Sequence, residues 1–221
     1  MNRENAAEIK PLAWPTVQRL SEYLLVLEQF MKQGRAVVSS HDIAELYGNN
    51  ASQVRQDLFR LPNTGRVGHG YRTALLATAI RAALGLEQIT RVAIVGCGKL
   101  GAALAEHVDF SSYGMMLAGL FDRDPAVIGT HLSGVRVEHV AGLATAIRKR
   151  AITVAALCVP PDAAQDMTDN LVSARICGIL NYTRQRLRVP PTVHVQDRQV
   201  ICSFLQLAYM SNRIPMGSSD D

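Results

Sequence analysis

Arg91-Val92-Ala93-Ile94-Val95-Gly96-Cys97-Gly98-Lys99-Leu100-Gly101 is an apolar, β-branched run that feeds directly into G-x-G-x-x-G. A strand that empties into this glycine pattern and then into a helix receives the pyrophosphate of a dinucleotide. Gly96 permits the tight turn off the strand, Gly98 removes a side chain that would block the phosphates, and Gly101 lets the next helix pack closely. The helix expected over 102–107 offers its free N–H groups and positive dipole end to the ligand, so Cys97, Lys99 and Leu100 also fall in the candidate site. Met116-Leu117-Ala118-Gly119-Leu120-Phe121 reads as the second strand and ends at Asp122, 21 positions beyond Gly101. A carboxylate at that spacing accepts hydrogen bonds from the adenosine ribose and repels a 2′-phosphate, which favours NAD(H); the neighbouring Arg123 works against that preference. Without further context the same turn also suits no ligand, or another nucleotide such as coenzyme A.

Ninety residues precede this unit, and they read as a small helical module. Val17, Leu20, Tyr23, Leu24, Leu27 and Phe30 recur at three and four, one face of an amphipathic helix that ends near Gln33-Gly34. Ser39 and Asp42 form a capping box ahead of a short helix through Ile43, Ala44 and Tyr47 that stops at Gly48. Asn50 caps the next helix, with Gln53 at its capping-box position and Val54, Leu58 and Leu61 facing inward. Two short helices joined by a glycine turn describe a helix-turn-helix. Ser52, Gln53, Arg55, Gln56 and Arg60 then occupy the polar side of the second helix, where they can donate to base edges and phosphates; Ser40 and Asn50 flank it. The turn-rich stretch 62–71 is expected to be a hairpin wing that carries Arg66, His69 and Tyr71. A further helix is expected over 72–85, and Leu86-Glu87-Gln88 as the joint.

Charge follows the same division. The chain of 221 residues has a net charge of +4, and between Asn50 and Arg81 five arginines face the single acid Asp57. Such a basic segment is what a phosphate backbone attracts. No apolar run is long enough for a membrane span, and the polar N-terminus lacks the apolar core of a signal peptide, so a cytoplasmic protein is expected. Cys97, Cys158, Cys177 and Cys202 show no C-x-x-C spacing, which argues against a zinc or dithiol site; they read as small buried hydrophobes. Cys97, near a helix N-terminus, is the one whose thiolate could be stabilised. Hydride-transfer chemistry wants a His–carboxylate pair or a Tyr-x-x-x-Lys, and neither appears; His131, His139 and His194 have no evident partner. An oxidoreductase is therefore disfavoured, and no catalytic or metal-binding residue is assigned.

In the second half, Thr153 to Val159 is a continuous apolar strand that ends at Pro160-Pro161, and residues 176–181 form another. Val159, Pro160, Asn181 and Tyr182 then meet at the carboxyl edge of the sheet, where they are expected to flank the nicotinamide. The helix expected over 199–210 carries Val200, Ile201, Phe204, Leu205, Leu207 and Ala208 on more than one face, and such a helix requires a partner surface.

Nearly the whole chain resembles the Rex family of redox-sensing transcriptional repressors. The likeness runs through Arg19-Leu20-x-x-Tyr23-Leu24, Ser39-Ser40, Gln53-Val54-Arg55-x-Asp57-Leu58, Gly65 through Gly70-Tyr71, Leu84-Gly85-Leu86 and the glycine motif. It continues through Phe121-Asp122-x-Asp124-Pro125, Ile128-Gly129, Val159-Pro160, Gly178-Ile179-Leu180-Asn181-Tyr182 and Leu207-Ala208-Tyr209. The resemblance implies an α/β chain in three parts: a winged helix-turn-helix DNA-binding domain over 1–86, a Rossmann-type parallel-sheet NAD(H) domain over 87–198, and a dimerisation helix and tail over 199–221 that packs on, or is exchanged with, the other subunit. It further implies a homodimer that binds a palindromic operator in double-stranded DNA and releases it when NADH is bound. The chain departs from the family where a Ser-Tyr-Phe-Gly run is usual and Phe59-Arg60-Leu61-Pro62 stands. A lysine is replaced by Gln56, and an arginine is displaced to Arg66. At the family's switch positions Leu25 replaces an arginine and His107 a tyrosine, while the acid is kept as Asp197. These changes leave open a regulator of the same fold whose signal is thiol oxidation at Cys97 or a different nucleotide.

Overall fold

The computed structural model describes residues 12–48, 50–62 and 70–213, and the chain divides into two compact units, Met1–Gln88 and Ile89–Asp221. In the first, α1 (Trp14–Lys32) leads through β1 (Val37–Val38) to α2 (Ser40–Tyr47), α3 (Ala51–Leu58), β2 (Tyr71–Arg72) and α4 (Thr73–Ala83). Leu20, Tyr23, Leu27, Ile43, Val54, Leu58, Leu76 and Ile80 are completely buried and bring all four helices onto one core. The capping box forms as expected: the Ser39 hydroxyl accepts from the Asp42 N–H and the Asp42 carboxylate accepts from the Ser39 N–H. Gly48, at φ 71°, supplies the left-handed turn that ends α2. Gln53 does not complete a box on α3. The Asn50 side chain accepts from Ser52 N–H instead, and Gln53 donates to Asp57 at 3.2 Å. β2 pairs antiparallel with the distant β1, Val38 opposite Tyr71, and the expected hairpin wing falls mostly on residues 63–69, which lie outside the described residues.

Asp57 explains how α3 is held. Its carboxylate is 2% exposed and accepts from Arg19 at 2.6 and 2.8 Å and from the Tyr23 hydroxyl at 3.2 Å, both on α1. Burial pushes the Asp57 pKa up, but the hydrogen bonds and charge of Arg19 outweigh it and hold the carboxyl below its ordinary value.

The second unit is built on β3 (Thr90–Val95), α5 (Lys99–His107), β4 (Met115–Asp122), β5 (His131–Leu132), β6 (Val135–His139), α6 (Leu143–Arg150), β7 (Val154–Leu157), α7 (Ala164–Ser173), β8 (Gly178–Asn181), β9 (His194–Asp197) and α8 (Val200–Ser211). The strand order is β5-β6-β4-β3-β7-β8-β9, parallel except for the β5–β6 hairpin. With the edge hairpin strand β5 set aside, this is the doubly wound order in which the chain reverses direction across the sheet between β3 and β7. Ala155, Ala156 and Leu157 are buried because both sheet faces are covered there, which is why this strand reads as a continuous apolar run. The expected strand over 176–181 begins two residues later, at Gly178. α8 is different: none of its residues is buried by its own chain.

Candidate functional site

At the reversal point between β3 and β7 a cleft of about 510 Å³ opens at the carboxyl ends of the strands. Gly96 and Gly98 line it from one side, Cys158, Val159 and Pro160 from another, and Asp122 and Arg123 from a third. The three glycines have separable reasons. Gly96 sits at φ +93°, and a Cβ there would lie 2.6 Å from the Cys158 carbonyl oxygen. At Gly101 a Cβ would lie 1.8 Å from the Gly96 carbonyl oxygen, so only glycine lets α5 start this close to the loop. A Cβ on Gly98 would meet nothing within 4 Å; it would project into open cleft, the space an anionic group needs to reach the loop. The helix begins at Lys99 rather than 102, with Gly98 as its cap, so Lys99 and Leu100 form its exposed first turn.

Asp122 ends β4 beside this loop. One carboxylate oxygen accepts from the Cys97 N–H at 2.5 Å and the other from the Asp124 N–H at 2.9 Å. The acid therefore fixes the glycine loop as well as facing the cleft. Cys97 does not have the stabilised thiolate expected from its place near a helix N-terminus. It is 4% exposed, directs its thiol at the Phe121 carbonyl oxygen, and burial followed by the Asp122 charge pushes its pKa up to about 11. Cys158 is pushed up to about 12, by burial first and by Cys97 second. The expectation of four buried cysteines fails at Cys177 and Cys202, which are exposed.

Asn181 ends β8 and Tyr182 follows it at the same edge, but neither lines the cleft. Asn181 is fully buried and its amide is used internally: it donates to the Gln185 carbonyl and to Asp197, and accepts from Thr183. Its side chain thus shapes the β8–β9 turn rather than meeting a ligand. Tyr182 is half-buried, and burial raises its hydroxyl pKa. Conversely, Asp124, Val127, Val140, Ala163 and Met167 line the cleft and were not anticipated. Only the Asp124-Pro125 pair left a trace in the sequence; Met167 arrives because α7 packs against the sheet, which no local pattern announces.

Of the residues expected at the switch, Leu25 is exposed on α1, His107 closes α5 and Asp197 closes β9. Parallel pairing of Asn181 with Asp197 places this acid at the carboxyl edge, whereas α5 runs back to the amino edge before β4 begins. Within one copy of this unit His107 and Asp197 therefore stand at opposite edges of the sheet.

On the first unit, Ser52, Arg55, Gln56 and Arg60 are exposed along α3 and just beyond it. Arg55 donates to the Ser40 hydroxyl at 3.2 Å, which ties the start of α2 to this face. Asn50 is occupied as a cap, Gln53 is half-buried on Asp57, and Tyr71 is half-buried on β2. Arg81 points elsewhere, paired with Glu28 of α1, so it does not add to a basic stripe beside α3. Arg66 and His69 lie outside the described residues. Among the described residues no group of three metal-ligating side chains exists, and no helix is long and apolar enough to cross a membrane.

Fold and cleft together define a protein with a Rossmann-type nucleotide unit preceded by a helix-turn-helix unit. Residues 87–185 match the family model described as CoA binding domain, and residues 12–58 match the model described as "Putative DNA-binding protein N-terminus". The redox-sensing transcriptional repressor Rex of Caldicellulosiruptor bescii is 35% identical over 92% of this chain and 94% of its own length. Rex of Solidesulfovibrio magneticus is 36% identical over 88% of each. Among solved structures, RSP, a Rex-family repressor, in complex with beta-NAD+ and operator DNA superposes with a TM-score of 0.83 at 32% identity, covering 91% of this chain and 93% of that one. RSP in complex with beta-NADH gives a TM-score of 0.82 at 32% identity, over 91% and 94%. The chain belongs to the Rex family.

Proposed function

We propose that this chain is a DNA-binding transcriptional repressor that senses the NADH to NAD⁺ ratio and releases its operator when NADH binds. The observation that carries this reading is the open Gly98 cradle at the β3–β7 reversal, joined in one chain to an exposed donor-rich recognition helix. In this account residues 1–86 read DNA, residues 87–198 hold the nucleotide, and α8 with the tail makes the homodimer that a palindromic operator requires. Gly98 and Lys99 take the pyrophosphate through backbone N–H groups and the α5 dipole, while Gly96, whose N–H bonds the Phe121 carbonyl, and Gly101 make the close turn that presents them. Asp122 takes the ribose with Arg123 beside it, and Val159 and Pro160 border the nicotinamide. Ser40, Ser52, Arg55, Gln56, Arg60 and Tyr71 contact the duplex; Arg66 and His69, outside the described residues, are further candidates for it. The protein works in the cytoplasm and is not an enzyme; His139 is occupied by the Ala141 N–H, and among the described residues the cleft lining includes no histidine, lysine or tyrosine. The likeness of residues 87–185 to a CoA-binding model supports a second reading, coenzyme A as the ligand. Calorimetric titration of the chain, free and bound to operator DNA, with NADH, NAD⁺ and coenzyme A in parallel separates the two. NADH binding that lowers DNA affinity supports the proposal; binding of coenzyme A alone overturns it.

A further inference from the structure

Phe59 is 90% exposed, the highest value among the described large hydrophobic residues. It does not dangle: its backbone is helical, at φ −60° and ψ −23°, and its N–H bonds the Arg55 carbonyl, so it continues the α3 spiral. At about 100° per residue it falls between Arg55 and Gln56, one turn further on, and away from the buried Val54 and Leu58. Ser52 shares the same face and Arg60 follows in sequence, both exposed. The ring thus stands in the middle of a surface whose other members are hydroxyls, amides and cations. An occupant of that surface must be anionic at its rim and present an apolar group at its floor. Duplex DNA does both, because its major groove is bordered by phosphates and displays the thymine 5-methyl group, the natural contact of an apolar side chain there.

We infer that Phe59 packs on a thymine methyl in each operator half-site and is a specificity-determining residue of this chain. The inference rests on the DNA-binding reading above and adds the chemistry of one base that the recognition helix selects. Arg55 and Gln56 supply polar contacts on either side, and Phe59 makes replacement of that thymine unfavourable by losing its only apolar neighbour in the groove.

The full chain is used to select duplexes from a random double-stranded pool, and each symmetric pair of thymines in the winning duplex is replaced in turn by deoxyuridine, which removes only the methyl groups. At one pair the wild-type chain is expected to lose about three- to tenfold in affinity. Phe59→Ala should bind the unsubstituted duplex with that same loss and show no further loss with deoxyuridine. Penalties that simply multiply, or a duplex on which no thymine methyl matters, overturn the Phe59 assignment while leaving DNA binding intact. Failure to select any duplex overturns the DNA-binding reading itself, and this inference with it.

Discussion

Gly101 carries the most exacting demand of any single position, since a Cβ there would stand 1.8 Å from the Gly96 carbonyl oxygen. Gly101→Ala must push α5 away from the loop, and is expected to lower unfolding stability by about 1–3 kcal/mol and to abolish NADH binding, read by thermal melts with and without nucleotide. Asp122→Ala removes the ribose acceptor and the tie to Cys97 N–H together, so NADH affinity should fall by about 10- to 100-fold, the worth of a charged hydrogen bond; unchanged affinity in calorimetry would contradict its assignment. The thiols give a third test. With pKa values pushed up to about 11 and 12, Cys97 and Cys158 should resist alkylation near neutral pH while exposed Cys177 labels rapidly. Rapid labelling of Cys97 in the folded protein would instead favour a thiol signal. The glycine positions were legible in the sequence because each answers a local backbone demand. Asn181 was not, because what decides its role are Gln185, Thr183 and Asp197, brought together by a turn and a strand that only the fold defines.

Among the elements, α3 depends on a pair that no short-range pattern reveals. Arg19 and Asp57 are 38 residues apart in the chain and meet because the cores of α1 and α3 coincide. Asp57 is buried but Arg19 is 24% exposed and returns to water when its partner goes, so Asp57→Ala should destabilise the first unit by about 1–3 kcal/mol through the lost charged hydrogen bonds. DNA affinity should fall with it while NADH binding persists, a split measured by parallel titrations. Acid should act in the same place. Asp42 is held down to about 2, first by the Ser39 hydroxyl and then by Arg35, and Asp57 is also held below its ordinary value. Lowered folded-state values mean stability that is complete above about pH 4, where the unfolded carboxyls are ionised, and lost as pH falls through the folded values. A denaturation series from pH 5 to about 2 should therefore show the helical signal of the first unit weakening over that interval. Helix ends set by caps, such as Ser39 with Asp42, were readable from the sequence. The Gln53 box was not realised because the buried Asp57 carboxylate competes for the same side chain.

At the scale of the whole molecule, α8 carries apolar residues on more than one face and is unburied by its own chain: Phe204 and Leu205 are each 63% exposed. A second copy is the occupant the account requires, and Phe204→Asp should shift the protein from dimer to monomer, weakening self-association by about 30-fold or more, as sedimentation would show. Dimer dissociation should weaken operator binding as well, since two half-sites are no longer linked. Linkage fixes the rest: NADH can lower DNA affinity only by the factor with which it prefers the DNA-free dimer. That the switch positions hold Leu25 and His107 makes this factor the quantity to determine. The most direct test is fluorescence anisotropy of the dimer of this chain on a labelled palindromic Rex-type duplex at fixed salt, titrated separately with NADH and NAD⁺. The account predicts release by NADH at concentrations where NAD⁺ leaves the complex intact; tight binding that is indifferent to both nucleotides would contradict it.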